Sequence, residues 1–199
     1  MAVISNQYLL SLATKIADVP GDFIEIGVFK GHTFKRLALL AHILGRKAHA
    51  FDSFEGMAPP TEKDCGYYPQ GQLNVGGLNA FKSIMQSDEV PTNSYVLHQG
   101  WVPDCFIGFE DKISFALVDV DQYQPTVQSL DWVWPRLEVG GILVLDDYFR
   151  NREGLASLAI DEWLSKQDPF EVRILDYINT QLYIQKYFTA PNLFPKTKG

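Results

Sequence analysis

A chain of 199 residues, 46% hydrophobic and 21% charged, has the composition of an ordinary globular domain and not of a disordered segment. Its formal net charge is −7 and its Lys and Arg are scattered without a basic stripe, which argues against nucleic acid or an anionic membrane as main partner. Only Cys65 and Cys105 are present, with no CxxC pair, and the first 22 residues lack the basic-then-apolar pattern of a signal peptide or anchor, so a cytoplasmic setting is expected.

No repeat or linker divides the chain, and one domain over residues 1–199 is expected. Tyr8, Leu9, Leu12, Ile16 and Val19 recur at helical spacing behind Ser5-Asn6, so the spacing predicts an opening amphipathic helix capped there and broken by Pro20-Gly21. DFIEIGV is a short apolar run suited to a buried parallel strand, and HTFKRLALLAHILG reads as a helix stopped by Gly45. AHAFD is the second strand. The stretch after it, residues 53–75, is irregular and rich in Gly, Pro and Tyr; a loop of that length in a compact domain usually lines or covers a site. A helix over residues 77–86 and the strand SYVLH follow. KISFALVDV is a strand, TVQSLDWVWPRL a helix and GGILVLDD a strand; GLASLAIDEWLSKQ is a helix, and EVRILDY and TQLYIQKYF are two closing strands. The alternation implies a doubly wound α/β fold: a mostly parallel seven-stranded sheet, helices on both faces, and a C-terminal antiparallel hairpin. Such sheets bind ligands beyond the carboxyl ends of their strands, where strand order reverses.

Those strand ends carry the polar residues of interest. The first ends in Glu25-Ile26-Gly27-Val28-Phe29-Lys30-Gly31, an E-x-G-x-x-x-G turn and not the G-x-G-x-x-G that seats a pyrophosphate. Gly27 can take angles closed to other residues, Gly31 would let a ligand near the helix amides, and Glu25 suits a cofactor bearing an ammonium group. A plain strand–helix turn is the alternative. The second strand ends at Asp52-Ser53, placed to accept bonds from two ribose hydroxyls, unless Asp52 is only a loop or capping aspartate. Gln99, Gly100 and Trp101 end the third and are candidates for an adenine pocket, Trp101 equally for a half-buried core position. His32, His42 and His49 lack ligand spacing, and His98 has no assigned partner.

Four carboxylates close the next two strands: Asp119 and Asp121, then Asp146 and Asp147. Converging on one sheet end they would repel unless protonated or bound to a cation, and an all-oxygen set suits Mg²⁺ or Ca²⁺. Helix caps would account for one or two of them.

PGDFIEIGVFKGHT, AFDSFEGMAPPT, HQGWVPD, LVDVDQYQPT and GGILVLDDY, in that order over residues 20–148, resemble the macrocin O-methyltransferase (TylF-like) family, which methylates sugar hydroxyls on antibiotics and related natural products. The resemblance implies a Rossmann-like class I methyltransferase fold, S-adenosylmethionine as donor and Mg²⁺ or another hard divalent cation as helper. It matches Glu25, Gly27 and Gly31 to the cofactor turn and Asp52 with Ser53 to the ribose-binding strand end. Asp119, Asp146 and Asp147 fall at the metal-ligand positions and Asp121 at the general base. The acceptor implied is a small molecule with a sugar or other vicinal-diol hydroxyl. The family's longer N-terminal region is a departure. Residues 1–20 with the 53–75 loop would form a reduced lid, or a neighbouring copy in a homo-oligomer would complete it. An NAD-dependent oxidoreductase, a metal-dependent sugar transferase using Asp119-x-Asp121, and a non-catalytic cofactor-binding relative are the competing readings.

Overall fold

The computed structural model describes residues 2–64, 68–87, 90–149 and 155–188, with side chains from residue 7 onward. Helix α1 (Ala2–Lys15) leads into β1 (Asp22–Ile26), α2 (Phe34–Ile43) and β2 (Ala48–Asp52). Then come α3 (Leu78–Ser87), β3 (Tyr95–Gln99), β4 (Ile113–Val118) and α4 (Tyr123–Arg136). Strand β5 (Leu137–Leu145), α5 (Leu155–Leu164), β6 (Val172–Ile178) and β7 (Gln181–Lys186) complete the order. Cys65 lies outside the described residues.

The seven strands form one sheet in the order β3-β2-β1-β4-β5-β7-β6. Strands β1 to β5 are mutually parallel, and β7 is inserted antiparallel between β5 and β6. Both faces of the central strands are covered, which is why those strands read as unbroken apolar runs. Phe23, Phe115, Leu117, Ile142 and Val144 pack toward α1, α2 and α3. Their alternates Ile24, Ile26, Ala116, Val118, Leu143 and Leu145 pack toward α4, α5 and the aromatic residues Phe106 and Phe109.

Two boundaries differ from the sequence expectation. Helix α1 starts at Ala2, so Ser5 and Asn6 lie inside it and do not cap it. Strand β5 follows α4 without a loop, from Leu137 and not from Gly140. A register shift against β4 absorbs the extra residues. Gly141 sits in that shift, where an added Cβ would meet the Ser114 carbonyl at 2.9 Å. Among the described residues no helix is long and apolar enough to cross a membrane.

Candidate active site at the carboxyl ends of the central strands

Strand order reverses between β1 and β4, so the connections leaving their carboxyl ends diverge and open a crevice. A cavity of about 500 Å³ occupies it, a volume suited to a cofactor-sized ligand. Its floor comes from the ends of β1, β2 and β4, and its outer wall from Met57, Ala58, Tyr68, Gln72 and Leu73 of the long loop. None of the described side chains of α1 lines it; α1 packs on the sheet face, with Tyr8 edge-on to Tyr183 at 4.9 Å.

Of the residues singled out in the sequence, Glu25, Gly27, Asp52, Ser53, Gly100, Trp101, Asp119, Asp121 and Asp146 line this cavity. Gly31, Gln99 and Asp147 do not. Gly31, at φ +73°, is small because an added Cβ would meet the Phe81 ring at 3.0 Å, so its constraint is packing against α3. Gln99 is exposed at the end of β3. Gly27 takes φ +83°, and a Cβ there would lie 1.9 Å from the Asp119 carbonyl. Only glycine lets the chain leave β1 beside the end of β4.

Glu25 is 2% exposed, and among the described residues its Oε2 has no hydrogen-bond partner. Burial first, then the carboxylates of Asp52 and Asp146, holds its carboxyl well above the usual range. Asp52 is spent differently. Its Oδ2 accepts the N–H groups of Val28 (2.8 Å) and Phe29 (3.2 Å), and its Oδ1 accepts that of Phe54 (2.7 Å). A carboxylate offers about four acceptor sites, so one remains for a further donor. The indole N–H of Trp101 donates to the Gly56 carbonyl at 2.9 Å, tying the third strand end to the long loop.

The acidic residues divide in an unexpected way. Carboxylate oxygens of Asp119, Asp121 and Asp147 lie within 4.8 Å of one another, spacing compatible with one shared cation. Asp146, from the same loop, is held by the Thr180 hydroxyl (2.9 Å) and the Gln181 amide (3.3 Å). Burial, followed by Asp146, Asp121, Asp147 and Glu25, drives the Asp119 carboxyl well above the carboxylate range; every charge in that sum is negative. Asp121 and Asp147 both have φ of +58°, backbone strain on the order of 1–3 kcal/mol each, which concentrates at sites where geometry is over-determined.

The sequence reading passed over Asp64, Gln122 and Tyr123. Asp64 is fully buried and accepts bonds from Thr61 and from the Tyr123 N–H, and Gln122 reaches the Ala58 carbonyl at 3.0 Å. Their only primary-structure signal was an acidic residue in a long loop. Cys105 is buried and its thiol is pushed up to about 12, so it is no nucleophile. His49 and His98 pair with each other on the sheet and do not join the cavity.

A crevice at the switch point, an acidic residue under a glycine turn and a carboxylate group beyond β4 and β5 make one pattern. The profile of the macrocin-O-methyltransferase (TylF) family matches residues 9–169. The chain belongs to that family. It is 28% identical over 146 residues, 68% of its length, to the 8-demethyl-8-(2,3-dimethoxy-alpha-L-rhamnosyl)-tetracenomycin-C 4'-O-methyltransferase of Streptomyces olivaceus. It is 29% identical over 164 residues, 76% of its length, to the demethyldecarbamoylnovobiocin O-methyltransferase of Streptomyces niveus. The chain spans 56% and 61% of the length of those two curated relatives. Among solved structures it resembles the O-methyltransferase NovP with a TM-score of 0.80 at 18% identity, covering 94% of this chain and 80% of that one. The fold is thus that of class I methyltransferases, with seven strands and the terminal antiparallel hairpin.

Proposed function

We propose that this TylF-family chain is an S-adenosylmethionine-dependent O-methyltransferase acting on a hydroxyl of a sugar-bearing or other vicinal-diol small molecule in the cytoplasm. The observation that carries this reading is the single cavity wall shared by Glu25, Asp52 and the Asp119–Asp121 carboxylates. It would let one pocket hold a cationic nucleoside donor beside a charge-dense acceptor site. The two curated relatives, a tetracenomycin-C O-methyltransferase and a novobiocin O-methyltransferase, agree in class.

The residues fit the groups such a reaction needs. The unpaired Oε2 of Glu25 is a buried acceptor awaiting a donor, and an ammonium would satisfy it. The remaining acceptor site on Asp52 suits a ribose hydroxyl, and Trp101 offers a face at the same wall. Asp119 and Asp147 would hold a hard divalent cation such as Mg²⁺ within reach of Asp121, because oxygen-only donors favour hard ions. When bound, the donor supplies an electrophilic methyl on sulfur and the cation supplies positive charge that acidifies an acceptor hydroxyl. Asp121, on the turn after β4, would take the hydroxyl proton onto a carboxylate oxygen as the acceptor oxygen gains the methyl and the donor's sulfur keeps the electron pair of the broken carbon–sulfur bond, leaving as S-adenosylhomocysteine. The walls would hold donor and acceptor together.

Calorimetric titration tests the first half. S-adenosylmethionine and S-adenosylhomocysteine should bind wild type, and Glu25→Gln should weaken both by about tenfold, since one charge-assisted hydrogen bond is lost. NAD and a nucleotide sugar serve as controls. Binding of a control in place of the first pair would sink the proposal. Methyl transfer to diol acceptors, dependent on added Mg²⁺ and abolished by EDTA, tests the second half.

A further inference from the structure

The long loop after β2 is too extensively bonded to be a free lid. Met57 and residues 71–72 exchange backbone bonds, with Met57 N–H to the Gln72 carbonyl at 2.8 Å and Gly71 N–H to the Met57 carbonyl at 3.0 Å. Its middle is anchored to α4 by a buried side chain. Asp64 is 0% exposed, and its Oδ2 accepts both the N–H and the hydroxyl of Thr61 at 2.7 Å. Its Oδ1 accepts the N–H of Tyr123, also at 2.7 Å, from 59 residues away.

Tyr123 is the first residue of α4, and a helix's first N–H groups have no partner within the helix. Ordinarily the residue just before the helix caps them. Here that residue is Gln122, and it makes no side-chain capping bond. Its amide is committed elsewhere, donating to the Ala58 carbonyl at 3.0 Å. Capping of α4 has been handed to Asp64, on another segment. Asp121 stands two residues before Tyr123 in the left-handed region, and the Gln122 N–H closes the turn on the Val120 carbonyl. Lys63, beside Asp64, donates to the Tyr123 hydroxyl at 2.6 Å, so residues 58–64 grip the start of α4 at three points just downstream of Asp121.

We propose that Asp64 is a positioning residue: it locks the Asp121 turn and the acceptor-side wall into one unit before an acceptor arrives. The purpose of this unit, though not its geometry, rests on the methyltransferase reading above. Met57 and Ala58 line the same cavity as Asp121, so wall and proton acceptor keep their spacing only while the grip holds. A local cap at position 122 would stabilise α4 equally well but would give up the buried link to the wall. The distant aspartate is the fully buried member of the three links, beside Gln122 to Ala58 and Lys63 to Tyr123.

The test is Asp64→Asn, in which an amide NH₂ replaces one acceptor oxygen and faces Thr61 or Tyr123. Amide hydrogen exchange should rise at least tenfold in segments 56–64 and 119–124 together. Affinity for S-adenosylmethionine should stay within twofold, and kcat for acceptor methylation should fall 10–100-fold. Thr61→Val, which keeps the Tyr123 bond and removes one of the three, should give a smaller rise in both segments and decides the matter where Asp64→Asn does not fold. Faster exchange confined to 56–64, with 119–124 and kcat unchanged, overturns the proposal. Should wild type methylate no acceptor, the functional reading falls, while the paired exchange still decides whether the unit exists.

Discussion

The two ends of the same sheet handle charge in opposite ways. At the carboxyl ends of β4 and β5, Asp119, Asp121 and Asp147 crowd within 4.8 Å, and Asp119 is destabilised by burial and by four other carboxylates. At the opposite end a second polar group, built round Arg46, is closed on itself. The Arg46 guanidinium donates to the carbonyls of Ala17 (2.6 Å), Val19 (3.0 Å) and Gly21 (3.1 Å) and to the Ser114 hydroxyl (2.8 Å), and lies over the Phe23 ring. Asp22 beside it accepts the Lys47 N–H and faces buried His49, whose other ring nitrogen meets His98 at 3.0 Å. Asp22, His49 and Asp111 are also within 4.8 Å of one another, so proximity alone does not separate the two ends. The difference is satisfaction. At one end a charged donor is matched by several acceptors; at the other, backbone strain remains, with buried like charge that a bound cation would relieve.

If that contrast is right, substitutions at the two ends should move opposite observables. The largest effect is expected for Asp119→Asn, which should cut single-turnover methyl transfer by about a thousandfold. In divalent-free buffer the same change should raise the melting midpoint by roughly 2–4 °C, because a buried carboxylate facing other carboxylates is removed. Added Mg²⁺ should then stabilise wild type and not the variant. A variant that loses activity and stability together would erase the contrast. At the other end, Arg46→Ala should cost about 2–4 kcal/mol in denaturant unfolding, since several partly buried carbonyls lose a charged donor. The folded fraction should keep its affinity for S-adenosylmethionine; weakened binding beyond the unfolded fraction would count against a purely structural role.

A pH effect comes next. Burial, and then the neighbouring His49, lowers the His98 pKa to about 4 from 6.5. Its folded pKa is depressed, so the unfolded chain takes up the proton first as pH falls. Stability is full above pH 6.5, declines from there toward pH 4 and then levels off. Because His98 is only about half shielded, the loss is about 1–2 kcal/mol after allowance for solvent screening. Denaturation midpoints at pH 7 and pH 5 measure it, and His98→Gln should flatten the difference. The smallest effect is at Gly45, with φ +70° and open space around the missing Cβ; Gly45→Ala should cost roughly 1 kcal/mol from backbone strain alone.

How much of this was legible beforehand varies by element. The central strands could be read because both faces are buried, which leaves runs such as DFIEI and ISFALV with no polar residue inside them except Glu25 and Ser114. The carboxylates at the strand ends were visible for the same reason, as abrupt polarity after apolar runs. Gly31 was ambiguous because a glycine before a helix has the same signature whether a ligand or a Phe81 ring crowds it. The start of α1 was misread because a capping residue type can also sit within a helix whose stability comes from packing, and Ser5 and Asn6 do so here. Asp64 left no usable signal, since its partner is 59 residues away and its role depends on burial that no local pattern encodes.

Short-range physics therefore determined the alternation of strands and helices, the seven-stranded class and the polar residues set at the strand ends. Period and turn chemistry act within a dozen residues, and the chain carries them openly. Only the tertiary structure decided which carboxylates meet, that Asp146 is held by Thr180 and Gln181 while Asp121 joins Asp119 and Asp147, and that the long loop is fastened to α4. Those outcomes depend on distances between segments far apart in the chain and on the burial that makes each hydrogen bond count. No residue states them on its own.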